Sequence, residues 1–215
     1  MITEEEVETK QERQQFVTLR TNGLFLIGTS HVGKSTCANN IGGAISWSII
    51  STDTLGRHPG RPWTGVPDAV LEFYHRMSDD ALHWFLKVHH ENMRPLIAAK
   101  IKAARETGEG FILEGAALRP EYLGDWQIGE ALATCLYVEP GALRQRIQNG
   151  SNYSEQCDTI QVAIDKFTER SVRENEALAE AAIRNKIEVV DVTDVKNADR
   201  LAKELASRLV VSPDL

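Results

Sequence analysis

Short apolar runs recur along the chain at residues 24–27, 47–50, 111–113, 133–138 and 187–192. They are mostly unalternating, the pattern of strands covered on both faces. Longer stretches with helical spacing separate most of them. One covers residues 34–44. Residues 79–107 predict one or two helices, with Pro95 marking a kink or a restart. Residues 140–148 open on a proline suited to a first helical turn. Residues 155–185 place Ile160, Ala163, Ile164, Phe167, Val172, Leu178 and Ala182 at helical spacing without any glycine. Residues 197–210 give a closing helix. Strands alternating with helices predict a three-layer α/β domain with a mainly parallel sheet.

The N-terminal end breaks this rhythm. Residues 1–20 are polar at their start, rich in Glu and Gln, and read as an extension ahead of one domain over 21–215. Asn22-Gly23 lies between the apolar segments 16–19 and 24–27, which is a hairpin signal.

Composition narrows the class. The 215 residues are 42% hydrophobic and 26% charged, which excludes a disordered, collagen-like or coiled-coil chain. The net charge of −7 argues against a protein that wraps nucleic acid through phosphate contacts, so an anionic ligand needs a few well-placed groups. Cys37, Cys135 and Cys157 form no CxxC pair and leave an odd thiol, which fits a reducing compartment. The start of the chain is acidic where a signal peptide is basic. No apolar run approaches the roughly 20 residues of a membrane helix. The expectation is a soluble, cytoplasmic protein with no membrane partner; oligomeric state is not legible.

The strongest local signal is Gly28-Thr29-Ser30-His31-Val32-Gly33-Lys34-Ser35, a match to G-x-x-x-x-G-K-[ST] between a strand and a helix. Glycines let the backbone curl so that successive N–H groups point at phosphate oxygens. The helix N-terminus adds partial positive charge. Lys34 is placed to reach the β- and γ-phosphates, Ser35 to hold Mg²⁺, and Thr36 to help with the α-phosphate.

Two further carboxylates stand at strand ends, where α/β folds bind ligands. Asp53 follows the second strand and is suited to orient or deprotonate an acceptor hydroxyl, or to help place Mg²⁺. Arg57, His58 and Arg61 follow as a basic cluster able to grip an anionic group. Glu114 ends the third strand, before Gly115, and is suited to an acceptor hydroxyl or a metal-bound water. Trp63 reads equally as a ring over the substrate or as a loop anchor. The histidines His75, His83, His89 and His90 are set aside as a metal site, and Cys37 reads as a small buried hydrophobe.

Residues 28–35 carry the Walker A signature, and the chain resembles the P-loop nucleotide-binding proteins. Asp53 followed by Arg57-His58-Pro59 is similar to small-molecule kinases of the shikimate, nucleoside monophosphate and zeta-toxin type. Residues 51–55 and 114–120 are similar to segments of the 2-phosphoglycerate kinase family. The resemblance implies a parallel five-stranded sheet of order 2-3-1-4-5 and a helical lid after strand four. It also implies an acceptor region after strand two, with Arg119 among its residues. The first strand is then central, so Asn22-Gly23 is a turn into the core and no hairpin. In this class lid arginines neutralise the transferring phosphoryl group. The candidates are Arg146, on the nucleotide side, with Arg170 and Arg173 on the following helix; residues 149–152 read as the lid loop.

The activity so implied is transfer of the γ-phosphate of ATP to a hydroxyl of a small anionic metabolite. A nucleotide-binding regulator without turnover remains an alternative. So does a toxin-like kinase acting on a macromolecule or a nucleotide sugar.

Overall fold

The computed structural model describes residues 22–63, 65–126, 128 and 131–210. The apolar segment at 16–19 lies outside them.

Five strands form one sheet: β1 Gly23–Ile27, β2 Ser48–Ser51, β3 Phe111–Gly115, β4 Leu132–Tyr137 and β5 Glu188–Asp191. All neighbouring pairs are parallel, in the order β2-β3-β1-β4-β5. This is the order that the resemblance implies. β1 is hydrogen-bonded on one edge to β3 and on the other to β4. Neither edge is left for a hairpin partner, which agrees with reading Asn22-Gly23 as a turn.

Alternation along β1 explains the layers. Successive strand side chains point to opposite faces. Leu24 and Leu26 join one buried cluster, Phe25 and Ile27 another. The first cluster takes most of its other side chains from α1 (Lys34–Ile45), α4 (Pro140–Ser151), the first half of α5 (Asp158–Arg184) and α6 (Val195–Leu209), with Val32, Tyr74, Leu82, Ile112, Leu136, Val138 and Val192 completing it. The second takes Met93, Ile97 and Ile101 from α3 (Asp79–Glu106), and Leu178 and Ala182 from the end of α5. Both faces of β1 are therefore dry, and all five of its residues are buried.

The helices settle one open expectation and change two others. α3 is a single helix of 28 residues that runs through Pro95, with the Ser78 hydroxyl capping its start by accepting from Ala81 N. Packing of Met93, Ile97 and Ile101 on the sheet offsets the hydrogen bond that proline cannot donate. Asn149 and Gly150, read as loop, lie in the last turns of α4, which ends at Asn152 in the left-handed region (φ 48°). The connection to α5 is therefore only residues 152–157, with a 3-10 turn at Tyr153–Glu155. A nine-residue helix, α2 (Asp68–Arg76), is present where the sequence pattern suggested no element. None of the helices among the described residues is long and apolar enough to cross a membrane.

Candidate active site

The carboxyl ends of the parallel strands converge where β1 passes into α1. Gly28 takes φ 148°, and a Cβ there would stand 2.8 Å from Val32 Cγ2 and 2.9 Å from the Leu136 carbonyl oxygen. Gly33 takes φ 99°, a conformation side chains strongly disfavour. Between them His31 also adopts positive φ, at 65°. The result is a tight loop that opens α1 with no acidic residue in its first turn and no side chain capping its N–H groups. Those free donors and the helix dipole suit an anion.

Lys34 is buried and folds back so that Nζ donates to the Thr29 carbonyl at 2.7 Å. Burial lowers its pKa; the carboxylates of Glu114 and Asp53 act in the other direction, and Arg61 acts with burial. Those four charges therefore share one neighbourhood. Ser35 Oγ donates to Glu114 Oε1 at 3.2 Å. Glu114 is itself buried at the end of β3. It faces Ser35 and does not line the cavity described next. Gly115 beside it has φ 153°, and a Cβ there would come within 1.7 Å of Thr52 Oγ1. Only glycine lets β3 pass this close to the turn that carries Asp53.

That turn, Thr52–Thr54, follows β2 directly. It forms one wall of a cavity of about 80 Å³ that adjoins the phosphate loop at Ser30. Asp53, His58, Arg61 and Arg170 line it, and Phe85, Met93 and Phe167 close its apolar side. Arg57 is exposed and does not line it.

The lid arginines separate. Arg170 is half-buried in the cavity wall. Its Nη1 donates to Tyr74 Oη at 3.1 Å, and its guanidinium lies 4.6 Å from the Phe167 ring centroid. Its charge bears on His89 and His90, so it belongs to the part of the cavity lined by those histidines. Arg173, about 60° further round the same helix, points outward and donates to Asp80 Oδ1 at 2.6 Å. It ties α5 to the start of α3 and is not brought to the cavity. Arg146 approaches the phosphate loop from α4. It donates to the carbonyls of Val32 (3.4 Å), Val192 (2.7 Å) and Thr193 (3.0 Å), bridging the loop to the end of β5.

Arg119 does not line the cavity either. It is buried and donates to Glu174 and Glu121. Glu174 is fully buried and accepts from His83 Nε2 at 2.8 Å, and His90 Nδ1 lies 3.9 Å away. This ionic cluster fastens α3 and α5 together beneath the cavity floor.

Several residues of the site carried no sequence signal. Tyr74, on the unforeseen α2, is fully buried and donates to the Gly60 carbonyl at 2.9 Å, so one hydroxyl fixes both the Arg61 loop and Arg170. His89 and His90 both reach the cavity although adjacent on a helix. The helical spacing of Tyr74 with Val70 and Leu71 was the available clue to α2. His31 packs its ring on Trp63 (5.7 Å) and Phe167 (6.0 Å), and Trp63 packs on Phe167 (5.1 Å). Trp63 is thus a loop anchor rather than a substrate lid. Burial pushes the thiols of Cys37 and Cys135 up to about 11 and about 12, so neither is a nucleophile.

No family model matches the sequence, and no curated protein matches it. Among solved structures the chain is similar to a sugar kinase from Janibacter sp. HTCC2649, at 15% identity over 90% of this chain and 99% of that one, with a TM-score of 0.49. It is similar to a gluconokinase from Sinorhizobium meliloti 1021, at 15% identity over 91% and 99%, with a TM-score of 0.45. It is also similar to a shikimate kinase from Bacteroides thetaiotaomicron, at 13% identity over 87% and 97%, with a TM-score of 0.47.

Proposed function

We propose that the protein is an ATP-dependent phosphotransferase that moves the γ-phosphoryl group to a hydroxyl of a small, anionic molecule. The observation that carries this reading is the junction of two half-sites. A glycine-shaped phosphate loop with a buried lysine stands against a separate cavity that holds a carboxylate and two guanidinium groups.

The residues divide the work. The backbone of residues 28–36 and Lys34 hold the nucleotide phosphates. Arg146, held between the phosphate loop and the end of β5, lies on the nucleotide side and is the arginine assigned there to the nucleotide. Asp53 orients the acceptor hydroxyl and takes its proton as the acceptor oxygen bonds to the γ-phosphorus. The bond from that phosphorus to the β,γ-bridging oxygen breaks, and ADP leaves. Arg61, the cation beside Lys34, offsets charge on the transferring group. His58 borders the acceptor.

The donors around Ser35 fit Mg²⁺. They are oxygens only: the Ser35 hydroxyl and the Glu114 carboxylate that it bonds, with the Asp53 carboxylate acting on the neighbouring Lys34. The nearby Cys135 stays protonated through burial and offers no thiolate. When bound, Mg²⁺ supplies charge neutralisation to the phosphate oxygens. Enclosure of the acceptor by α3 and α5 keeps water from the phosphoryl group.

The test is a phosphorylation screen. Purified protein, ATP and Mg²⁺ are incubated with a library of small hydroxy compounds, and products are read by mass spectrometry. A new phosphomonoester formed at a rate that rises with enzyme is expected. ATP binding without any phosphorylated compound points instead to a nucleotide-binding regulator.

A further inference from the structure

Building on the phosphotransferase reading, we infer that the inner end of the acceptor cavity is a carboxylate subsite built on Arg170, for an acceptor with a compact apolar body.

Arg170 and Arg61 line the cavity without a carboxylate partner among the described residues, unlike the arginines packed around Arg170. Arg119 has Glu174, Arg144 has Glu169, and Arg173 has Asp80. Among the described residues no carboxylate pairs with Arg170. Its Nη1 is taken by the Tyr74 hydroxyl, its face packs on Phe167, and its Nε is buried without a hydrogen-bond partner. The guanidinium therefore lines the cavity with donor capacity that the protein leaves unused, and a carboxylate is the acceptor that suits it.

Charge selects the class of anion. The other cation lining the cavity, Arg61, acts on Lys34 and His31 at the phosphate end. At the inner end, burial holds the imidazoles of His89 and His90 below their ordinary range and so neutral at pH 7. Arg170 is then the permanent positive charge there. A single charge balances a carboxylate, whereas a dianionic phosphate ester would leave negative charge unmatched in a partly dry site.

The walls select the body. Phe85, Leu86 and Met93 from α3, Phe167 from α5 and Ala117 supply an apolar part of the lining that suits an apolar portion of the acceptor, while Ser30, Thr52, His58, His89 and His90 supply polar groups for its hydroxyl. Size sets a limit as well. At roughly 10–15 Å³ per water, a cavity of about 80 Å³ holds about six waters. That is room for a small acceptor.

Isothermal titration of the full chain tests this without relying on turnover. The probes are 3-hydroxybutyrate, 3-hydroxybenzoate and mandelate, their three carboxamides, and glycerol 3-phosphate. At least one acid should bind saturably and tenfold or more tighter than its amide and than glycerol 3-phosphate. Arg170→Gln should erase that difference, and Arg170→Lys should restore part of it, while the Kd of Mg-ATP stays unchanged in both. Equal binding of acid and amide, preference for the phosphate ester, no binding by any acid, or acid binding that survives Arg170→Gln would overturn the assignment. The two readings fail separately. Acid binding in a protein that does not bind ATP sinks the phosphotransferase and keeps the subsite. Phosphorylation of a polyol with no acid binding does the reverse.

Discussion

His31 shows how one residue couples the phosphate loop to its surroundings. Its ring is wedged against Trp63 and Phe167, and burial together with Arg61 and Lys34 lowers its pKa to about 4. The unfolded chain binds a proton near the ordinary value of about 6.5, so between those values unfolding takes up a proton. Stability is therefore complete above about pH 6.5 and falls as the pH drops toward 4. Allowing for partial exposure, we expect a loss on the order of 1–2 kcal/mol, a melting temperature lower by roughly 2–8 °C. His31→Asn, which tolerates the left-handed conformation, should flatten the melting temperature against pH over this window. Gly115 is a second single-residue lever. Gly115→Ala puts a methyl on Thr52 Oγ1 at an unfavourable φ, and should cost roughly 2–4 kcal/mol by thermal denaturation. Glycines 28 and 33 were legible because the phosphate loop has a fixed spacing. The need for Gly115 was not, because it comes from a turn more than sixty positions earlier in the chain.

At the scale of elements, β1 to β5 were readable because each is a short apolar run in a parallel sheet. α2 escaped because it is short and, of its nine residues, only Tyr74 is buried. Yet Tyr74 holds the acceptor loop through Gly60 and the α5 arginine through its hydroxyl. Tyr74→Phe keeps the ring packing and removes both bonds. It should raise the acceptor KM about tenfold, by the ~1.4 kcal/mol that a hydrogen bond to a charged group represents, with the Kd of Mg-ATP unchanged. A parallel loss of ATP binding would instead mean that α2 only supports the fold. The arginines of α5 illustrate the same limit. Arg170 and Arg173 look alike in a charge-rich helix, and only the packing of α3 against α5 turns one inward and gives the other to Asp80. Arg119 was drawn to the site by a local likeness, but the buried Glu174 claims it.

The whole molecule carries a net charge of −7 and concentrates Lys34, Arg61 and Arg170 at one edge of its sheet. Such local groups can draw anionic ligands against the overall charge. In the proposed function, the loop between β1 and α1 serves the nucleotide, the turn after β2 with α2, α3 and α5 serves the acceptor, and the chemistry happens where these two parts meet, at Asp53. The direct measurement compares wild type, Lys34→Ala and Asp53→Asn in two assays, Mg-ATP binding by titration and phosphoryl transfer to the acceptor found by screening. Lys34→Ala should abolish transfer and weaken ATP binding. Asp53→Asn should keep ATP binding within about threefold and lower kcat by roughly 10²–10⁴, the range of a lost general base. Full turnover by Asp53→Asn would contradict the account.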